Sequence, residues 1–222
     1  MLFVFKKNDK LRLCVNYRKL KKITRKNRYL LSLITQMLNQ LKNCWCFIKI
    51  DLIDAYNRIR IRKNDKWKTT FRTRYEHFEY LIMSFDLANA PVTFQAYINK
   101  TLSELVDDFC VIYLNDILIF FKNKEVHVEH VKKVLRRLRK HDLFANLQKC
   151  FFFKLEVDYL RFIVSHDDIK MNSNRIIIVM NWSILKFFKD IQMFLRFVNF
   201  YRRFIAHFSQ IIVSLSNMLK EM

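Results

Sequence analysis

The chain contains no glycine and a single proline, Pro91, in 222 residues. A chain of this length would ordinarily contain about 15 glycines, at roughly 7% usage. Glycine normally occupies positive φ in turns and after helix C-termini, because it has no Cβ to clash with the backbone. The turns of this chain must therefore use Asn, Asp or bulkier residues, and we expect strain at those positions.

The composition indicates a folded, basic protein. Hydrophobic residues make up 52% and charged residues 27%, which supplies a core and argues against disorder. Lys and Arg total 41 against 20 Asp and Glu, a formal charge of +21. Such a surface favours a polyanionic partner, either nucleic acid or an anionic membrane surface, although a merely basic soluble protein is the alternative.

Targeting and cysteine patterns exclude several classes of protein. There is no secretory signal pattern, and no window approaches 18 uncharged apolar residues, so no transmembrane helix is predicted. The 5 cysteines include no CxxC pair, so neither a disulfide framework nor a zinc site is indicated. Cys44 and Cys46 flank Trp45 at strand spacing, which predicts buried thiols on one strand face. An intracellular location, cytoplasmic or nuclear, fits these patterns.

The periodicity predicts an α+β fold with hairpins rather than βαβ units. Helices are predicted at 32–43 with Ser32 as N-cap, at 91–108 with Pro91 in the first turn, at 124–141 and beyond about 173. Strands are predicted at 11–17, 44–51, 67–74, 78–83, on both sides of the Asn-Asp pair within 109–121, and once or twice within 151–164. The buried stripe of the 124–141 helix is predicted to be Val128, Val131, Val134, Leu135 and Leu138.

Two aspartates occupy positions that favour a shared metal site. Asp51 ends an apolar strand, and Asp116 follows the turn of an apolar hairpin. Two carboxylates can hold hard cations that activate a hydroxyl and stabilise a leaving pyrophosphate. The alternative is structural, because strands often end in polar loops and Asn115 suits a hairpin turn.

The motifs resemble the reverse transcriptases of Ty3/gypsy-type retrotransposons, in one colinear order over nearly the whole chain. "YLND" is similar to the YxDD box, and "FIKIDLIDAYNRIRI" to the segment carrying the first catalytic aspartate. The palm, fingers, primer grip and following segment resemble, respectively, "WKTTFRTRYEHFEYLIMSFDLANAPVTFQAYIN", "FVFKKNDKLRLCVNYRKLKKIT", "ANLQKCFFFKLEVDYLRFIVSHDDI" and "FLRFVNFYRRFI".

The resemblance implies a right-hand polymerase fold with an antiparallel palm sheet packed on helices. It implies fingers and palm over 1–163, with the fingers incomplete at the N-terminus, and a thumb- or connection-like helical segment over 164–222. It also implies DNA synthesis from dNTPs on a primed RNA or DNA template, with two Mg²⁺ ions and Mn²⁺ as a possible substitute.

The resemblance assigns roles to individual residues. The catalytic positions are Asp51, Asn115 and Asp116, and the metal would be held by Asp51, the Leu52 carbonyl and Asp116. The nucleotide-binding positions are Lys6, Lys7, Arg12, Tyr56, Phe85 and Asp86. The primer grip is Leu160, Arg161 and Phe162.

The sequence departs from the family pattern at the box, which reads Asn115-Asp116 where two aspartates are typical. The lost charge should weaken metal binding and the balance of charge in the transition state. Asp86 adds an anion beside the expected triphosphate, and Arg161 puts a long side chain where the backbone should approach the primer. Other residues replace typical glycines, namely Glu76, Asp168 and Arg196, or typical prolines, namely Leu30, Ser32 and Ser84.

These exchanges share one direction at the codon level, G to A or C to T. They suggest a degenerate, truncated retroelement copy altered by cytosine-to-thymine transitions on both strands, as in repeat-induced mutation in fungi. The genomic DNA should show the same bias at silent sites, and unbiased silent changes would contradict this hypothesis.

Four interpretations follow from the sequence. The chain is a reverse transcriptase domain by descent, and it is either an active polymerase or a non-catalytic remnant that binds nucleic acid. A basic membrane-surface protein is the alternative from another class, which the lack of a long amphipathic basic helix disfavours. The aromatic residues of 187–208 would serve as core or as stacking platforms.

Overall fold

The computed structural model describes residues 2–5, 11–121 and 126–219. The helices are α1 (Arg18–Ile23), α2 (Ile34–Gln40), α3 (Ala90–Thr101), α4 (His127–Lys140), α5 (Ser173–Met180), α6 (Phe188–Phe200), α7 (Phe208–Ile211) and α8 (Val213–Met218). Short 3₁₀ turns lie at Ala55–Arg58, Lys63–Thr69, Leu147–Lys149 and Arg202–Phe204.

The strands are β1 (Leu2–Phe5), β2 (Leu11–Cys14), β3 (Cys46–Ile53), β4 (Phe71–Arg72), β5 (His77–Phe78), β6 (Cys110–Tyr113), β7 (Asp116–Phe121), β8 (Phe144–Ala145), β9 (Phe151–Lys154), β10 (Glu156–Tyr159), β11 (Phe162–Ser165) and β12 (Ile169–Met171). All strand pairs among these elements are antiparallel. Antiparallel sheets packed on helices confirm the predicted α+β class.

A five-stranded sheet organises the centre of the molecule, in the order β6-β7-β3-β8 with β9 also paired to β3. Successive side chains on a strand point to opposite faces. Ile48, Ile50 and Leu52 of β3 therefore join the core beneath α3 and α4, which contribute Phe94 and Val134 among others. This helix-covered side is the helix face of the sheet.

The opposite side, here the carboxylate face, carries Phe47, Lys49 and Asp51 of β3 and Asp116, Leu118 and Phe120 of β7. Its apolar half packs against α2 and a second sheet in the order β10-β11-β12. Tyr159 and Phe162 of that second sheet are buried in the same cluster. The carboxylates thus lie at the end of the β3–β7 strand pair, which is packed on both of its faces.

Several predicted elements differ from the structure. Helix α2 begins at Ile34 without a side-chain cap, so Ser32 as N-cap is wrong. The 67–74 and 78–83 strands shrink to the two-residue β4 and β5, since residues 63–69 form a 3₁₀ turn. The region 151–164 contains β9, β10 and the start of β11 rather than one or two strands.

Side-chain burial also corrects two predictions. Val134 and Leu138 of α4 are buried, but Val128 and Leu135 are 45% and 42% exposed, because only a narrow stripe of this helix meets the sheet. Cys44 precedes β3 and belongs to the carboxylate-face core, whereas Cys46 packs on the helix face. The two cysteines therefore do not share one strand face.

The C-terminal aromatic residues divide between core and surface. Tyr201 is 2% exposed and packs with Phe162 at a ring distance of 5.8 Å, whereas Phe187 is 70% exposed. Both uses of these residues that the sequence suggested therefore remain compatible with the structure. No helix in the described part of the chain is long and apolar enough to cross a membrane.

Residues other than glycine occupy the turn positions with positive φ, as the absence of glycine predicts. Positive φ falls on Asn43, Asp54, Asp107, Leu114, Asp142, Phe153, Leu160, Arg161 and His207. Asn and Asp tolerate this region better than other residues, whereas Leu, Phe and Arg pay about 1–2 kcal/mol each for the clash of Cβ. The strain therefore concentrates at the non-Asx positions.

Candidate active site

Asp51 and Asp116 are direct cross-strand partners at the end of the β3–β7 pair. Because paired residues of antiparallel strands project to the same face, both carboxylates lie on the carboxylate face. Their side chains are 24% and 34% exposed, so the site opens to solvent at one edge. The structure therefore brings together the two acids that the sequence singled out.

Asn115 lies in the two-residue turn that joins β6 to β7, after Leu114 at φ 53°. Its carbonyl accepts a 3.0 Å hydrogen bond from the Leu52 N–H, which ties the turn to β3. Its side-chain Oδ1 is buried and has no hydrogen-bond partner among the described residues. The residue that precedes Asp116 thus carries a buried amide oxygen whose bonding capacity is unused within the described part of the chain.

Two lysines face the carboxylates, and neither was singled out from the sequence. Lys49 Nζ lies 3.6 Å from Asp116 Oδ1 and donates a 3.0 Å hydrogen bond to the Asp158 carbonyl. Lys149 Nζ lies 4.0 Å from Asp51 Oδ1. Lys49 therefore also connects the carboxylate face to β10.

Burial raises the pKa of Asp51 above its ordinary value. Lys149 opposes this rise, the Asp116 charge adds to it, and Lys49 again opposes it. A half-buried acid beside a second acid resists ionisation. A cation bound between the two would relieve both effects.

Gln95 of α3 supports the turn from below, although the sequence analysis missed it. Its Oε1 accepts a 2.7 Å hydrogen bond from the Leu114 N–H, and its Nε2 donates to the Ile112 carbonyl at 3.2 Å and to Asn99 Oδ1 at 2.8 Å. Gln95 is 1% exposed. The available signal was a polar residue between Phe94 and Ile98 on the buried face of a helix.

The predicted nucleotide-binding residues fall into two groups. The Arg12 guanidinium lies 4.9 Å from the centre of the Phe85 ring, and Asp86 Oδ2 accepts a 3.2 Å hydrogen bond from the Val15 N–H. These contacts join β2 to the loop before α3. Lys6 and Lys7 lie outside the described residues.

Tyr56 follows β3 in a 3₁₀ turn and packs on Phe94 at a ring distance of 5.3 Å. Burial raises its pKa, and the nearby Tyr113 adds to the rise. Tyr113 is the β6 residue that pairs with Asp116. Tyr56 therefore lies near the turn end of the β6–β7 hairpin, where Tyr113 pairs with Asp116.

The predicted primer-grip residues form the tight turn between β10 and β11. Tyr159 pairs with Phe162, and the two turn residues Leu160 and Arg161 have φ of 52° and 72°. Two positive φ values define the type I′ hairpin, which strongly favours Asn-Gly. Arg161 is thus the one predicted glycine position that adopts a left-handed conformation; Glu76, Asp86, Asp168 and Arg196 do not.

The donor atoms at this site fit a hard divalent cation in chemical type, since carboxylate, amide and backbone oxygens are its preferred ligands. Asn115, next to Asp116 in the sequence, carries a buried neutral oxygen without a hydrogen-bond partner among the described residues. Within the described ranges, no group of three or more His, Cys, Asp or Glu side chains could hold a metal ion.

Comparison with known proteins identifies the same family that the sequence motifs resemble. Residues 4–164 match the family described as "Reverse transcriptase (RNA-dependent DNA polymerase)", a family that generally uses divalent metal ions. The chain is 38% identical over 221 residues to the transposon Tf2-3 and Tf2-7 polyproteins of Schizosaccharomyces pombe. These matches cover 100% of this chain but only 17% of each polyprotein, so the chain spans about a sixth of its curated relatives.

Solved structures with the same fold come from foamy virus. The foamy viral protease-reverse transcriptase dRH in complex with double-stranded DNA matches with a TM-score of 0.89 and 22% identity, over 99% of this chain and 38% of that one. The foamy viral protease-reverse transcriptase in complex with an RNA/DNA hybrid matches with a TM-score of 0.81 and 22% identity, over 99% and 30%. The predicted polymerase fold is therefore confirmed.

Proposed function

Because this chain belongs to the reverse transcriptase family and is of the Ty3/gypsy retrotransposon type, we propose that its site is that of an RNA-directed DNA polymerase impaired by Asn115. The substrates would be dNTPs and a primed RNA or DNA template. The foamy viral relatives of the same fold are described with double-stranded DNA and with an RNA/DNA hybrid. The charge of +21 supports a polyanionic partner.

The direct pairing of Asp51 with Asp116 across β3 and β7 carries this proposal. Nucleotidyl transfer requires acids that are fixed relative to each other before the substrate arrives. Backbone hydrogen bonding of β3 to β7 and of Leu52 to Asn115 provides that rigidity. A pair of acids that merely ended strands would not need to face one another on the open side of the sheet.

Asp51, the Leu52 carbonyl and Asp116 would hold the divalent ions, for which two Mg²⁺ with Mn²⁺ as substitute are the family expectation. Bound there, the ions would supply positive charge for the triphosphate and the primer hydroxyl. Asn115 contributes an uncharged oxygen, and Lys49 and Lys149 partly neutralise the acids in the absence of ligand. The impairment we propose is weaker metal binding through the loss of one carboxylate at position 115.

The remaining residues would place the substrates. Arg12, held against Phe85, would contact the triphosphate, and Tyr56 would border the sugar. The turn of Leu160 and Arg161 with Phe162 would contact the primer strand. Asp86 would repel the triphosphate, although its carboxylate is engaged by the Val15 N–H.

We also propose that 1–163 forms fingers and palm and that 164–222 forms a thumb- or connection-like segment. Both carboxylates lie before residue 163, and α5 to α8 lie after it. The division falls within β11, whose partner β12 begins at Ile169, so the two parts share one small sheet.

Primer extension on a poly(rA)–oligo(dT) substrate, in Mg²⁺ and then in Mn²⁺, tests the proposal. We expect little or no extension by the natural chain and recovery by the Asn115→Asp variant, because the variant restores the third carboxylate. Asn115→Asp combined with Asp51→Asn is the matched control. It has two carboxylates, as the natural chain has, but it lacks the Asp51–Asp116 pair and should be inactive. Strong activity of the natural chain would contradict the impairment, and activity of the control would contradict the assigned site.

A non-catalytic nucleic-acid-binding remnant is the second candidate. The amide at 115 and the two lysines beside the acids favour it, because they lower the negative charge of the site. It predicts steeply salt-dependent template–primer binding with no incorporation by either the natural chain or Asn115→Asp.

A further inference from the structure

A polar cavity of about 510 Å³ is bordered by α3 and α4, and neither Asp51 nor Asp116 lines it. Its walls come from the 3₁₀ turn after β3, from α3 and from the C-terminal end of α4. The lining includes Arg58, Arg60, Tyr97, Lys140, His141 and Asp142. A cavity of this volume can hold a ligand the size of a nucleotide.

Three cations line the cavity, and none of them forms an ion pair with a described residue: Arg58, Arg60 and Lys140. The Arg58 guanidinium lies 4.7 Å from the centre of the Phe144 ring, which restrains its position. Arg60 belongs to a backbone bridge with Ile82. Two of the cations are therefore held on ordered backbone with their charge uncompensated.

Several carbonyl groups at the end of α4, which borders the cavity, accept hydrogen bonds from the protein itself. The Leu143 N–H donates to the Leu138 carbonyl at 2.9 Å, and the Asp142 N–H donates to the Arg139 carbonyl at 3.2 Å. This pair of bonds is the Schellman motif. The Tyr97 hydroxyl donates to the His141 carbonyl at 3.3 Å.

Asp142 is the single acid in the cavity lining. It occupies the position after the helix C-cap with φ 53°, where glycine is usual. Its carboxylate opposes the three cations without pairing with any of them. Removing its charge should strengthen any anion site here.

We propose that this cavity binds phosphate groups. It would be an anion site separate from the proposed nucleotide site at Arg12. Guanidinium groups match the oxygens of phosphate in geometry, and lysine adds a point charge. The phosphate could belong to a nucleic acid backbone outside the proposed active site or to a free nucleoside triphosphate. The proposal does not depend on polymerase activity.

Calorimetric titration of the 222-residue chain with tripolyphosphate in EDTA tests this proposal. We expect Lys140→Gln to weaken binding on the order of tenfold, because it removes one charged contact. Asp142→Asn should strengthen it by about threefold, since one repulsive charge is lost. Arg58→Gln should also weaken tripolyphosphate binding, but it removes the contact between Arg58 and Phe144 as well. Lys140→Gln leaves that contact intact and is therefore the better test.

The charge control combines Lys186→Gln, just before α6, with Lys189→Gln in its first turn, and it should have little effect because both residues are exposed. If Lys140→Gln and Asp142→Asn leave the affinity equal to that of this control, the cavity is not an anion site. If Arg12→Gln abolishes binding while Lys140→Gln leaves the affinity unchanged, the anion binds at the proposed nucleotide site, and the cavity proposal is likewise overturned.

Two further titrations identify the source of the phosphate. With a 20-residue single-stranded DNA, Arg58→Gln with Lys140→Gln should lower the slope of log K against log salt by about 1.4, at roughly 0.7 per contact. If the site instead takes nucleotides, the same pair of substitutions weakens dATP binding and leaves the DNA slope unchanged. The first result assigns the site to nucleic acid and the second to nucleotides. Both support a phosphate site.

Discussion

The side chain of Gln95 is hydrogen-bonded at 2.7 Å to the backbone N–H of Leu114, the residue that begins the turn carrying Asn115. The same side chain bonds the Ile112 carbonyl. A single buried amide on α3 therefore fixes the end of β6 and the start of the turn that leads to Asp116. The position of the carboxylates depends on the helix beneath the sheet as well as on strand pairing.

We predict that Gln95→Met lowers the free energy of unfolding by about 2–3 kcal/mol. The methionine fills similar space but leaves the Leu114 N–H and the Ile112 carbonyl without their partner. Urea denaturation measures the loss, and amide exchange of Leu114 should rise in parallel. Gln40→Ala is the control, because its 2.8 Å bond to Asp107 is exposed and should matter by less than about 0.5 kcal/mol. Equal losses in both variants would contradict the role given to Gln95.

We predict that Asn115→Asp makes the folded state dependent on divalent metal. In EDTA the variant should be less stable than the natural chain, because a third negative charge joins Asp51 and Asp116. Mg²⁺ at a hundredfold excess over its Kd would then add about 2.7 kcal/mol. Thermal denaturation with and without Mg²⁺ measures this difference.

Asn64→Asp places the same charge on an exposed 3₁₀ turn and should show no metal response. A Mg²⁺ response of equal size in the Asn64→Asp and Asn115→Asp variants would assign the effect to general charge and not to the site.

We predict that Arg161→Gly stabilises the protein by about 1–2 kcal/mol. The residue has φ 72° in a type I′ turn, where the clash of Cβ costs about this much and glycine has none. Chemical denaturation measures the gain. Arg196→Gly, within α6, should instead destabilise by about 1 kcal/mol, because glycine is unfavourable in a helix interior. Destabilisation by both changes would show that the side chain of Arg161 contributes more than its backbone costs.

We predict opposite pH effects for two aspartates. Burial raises the pKa of Asp51, so its folded form holds the proton more tightly, and stability is lost as the pH rises through the raised pKa. Asp51→Asn cannot ionise and should become progressively more stable than the natural chain as the pH rises above 3.8, the ordinary Asp value. The comparison requires unfolding free energies at several pH values between about 3 and 7.

Asp65 supplies the control with the opposite sign. The hydrogen bond from Lys68 lowers its pKa, so its stabilisation is present above the ordinary Asp value and is lost as the pH falls. Asp65→Asn should therefore become progressively less stable than the natural chain as the pH rises. Parallel pH trends in the two variants would contradict the assigned environments.

The pairing of Asp51 with Asp116 could be predicted because it rests on local signals. An apolar strand ending in an acid and a hairpin with a polar turn are both visible in single segments of the sequence. The contribution of Gln95 could not be predicted in the same way, since it depends on which face of α3 meets the hairpin. Lys49 and Lys149 were missed for a similar reason, because basic residues near a strand look like ordinary solvated positions.

Glycine positions illustrate the same limit. Arg161 stands where the family pattern has a typical glycine, and its φ is positive. Phe153, at φ 51°, was not predicted, because its conformation belongs to an irregularity where β9 pairs with β3. Such a bulge is set by strand register, which single-residue propensities do not encode.

The left-handed leucine, phenylalanine and arginine residues have a consequence for the life of this protein in a cell. Each costs about 1–2 kcal/mol, against a total stability of about 5–15 kcal/mol for a typical domain. The population of opened chains rises about tenfold with every 1.4 kcal/mol lost, and proteases and chaperones act on that population. We therefore expect intracellular abundance to respond to substitutions at Leu114, Phe153 and Arg161 even if catalysis has ceased to be selected.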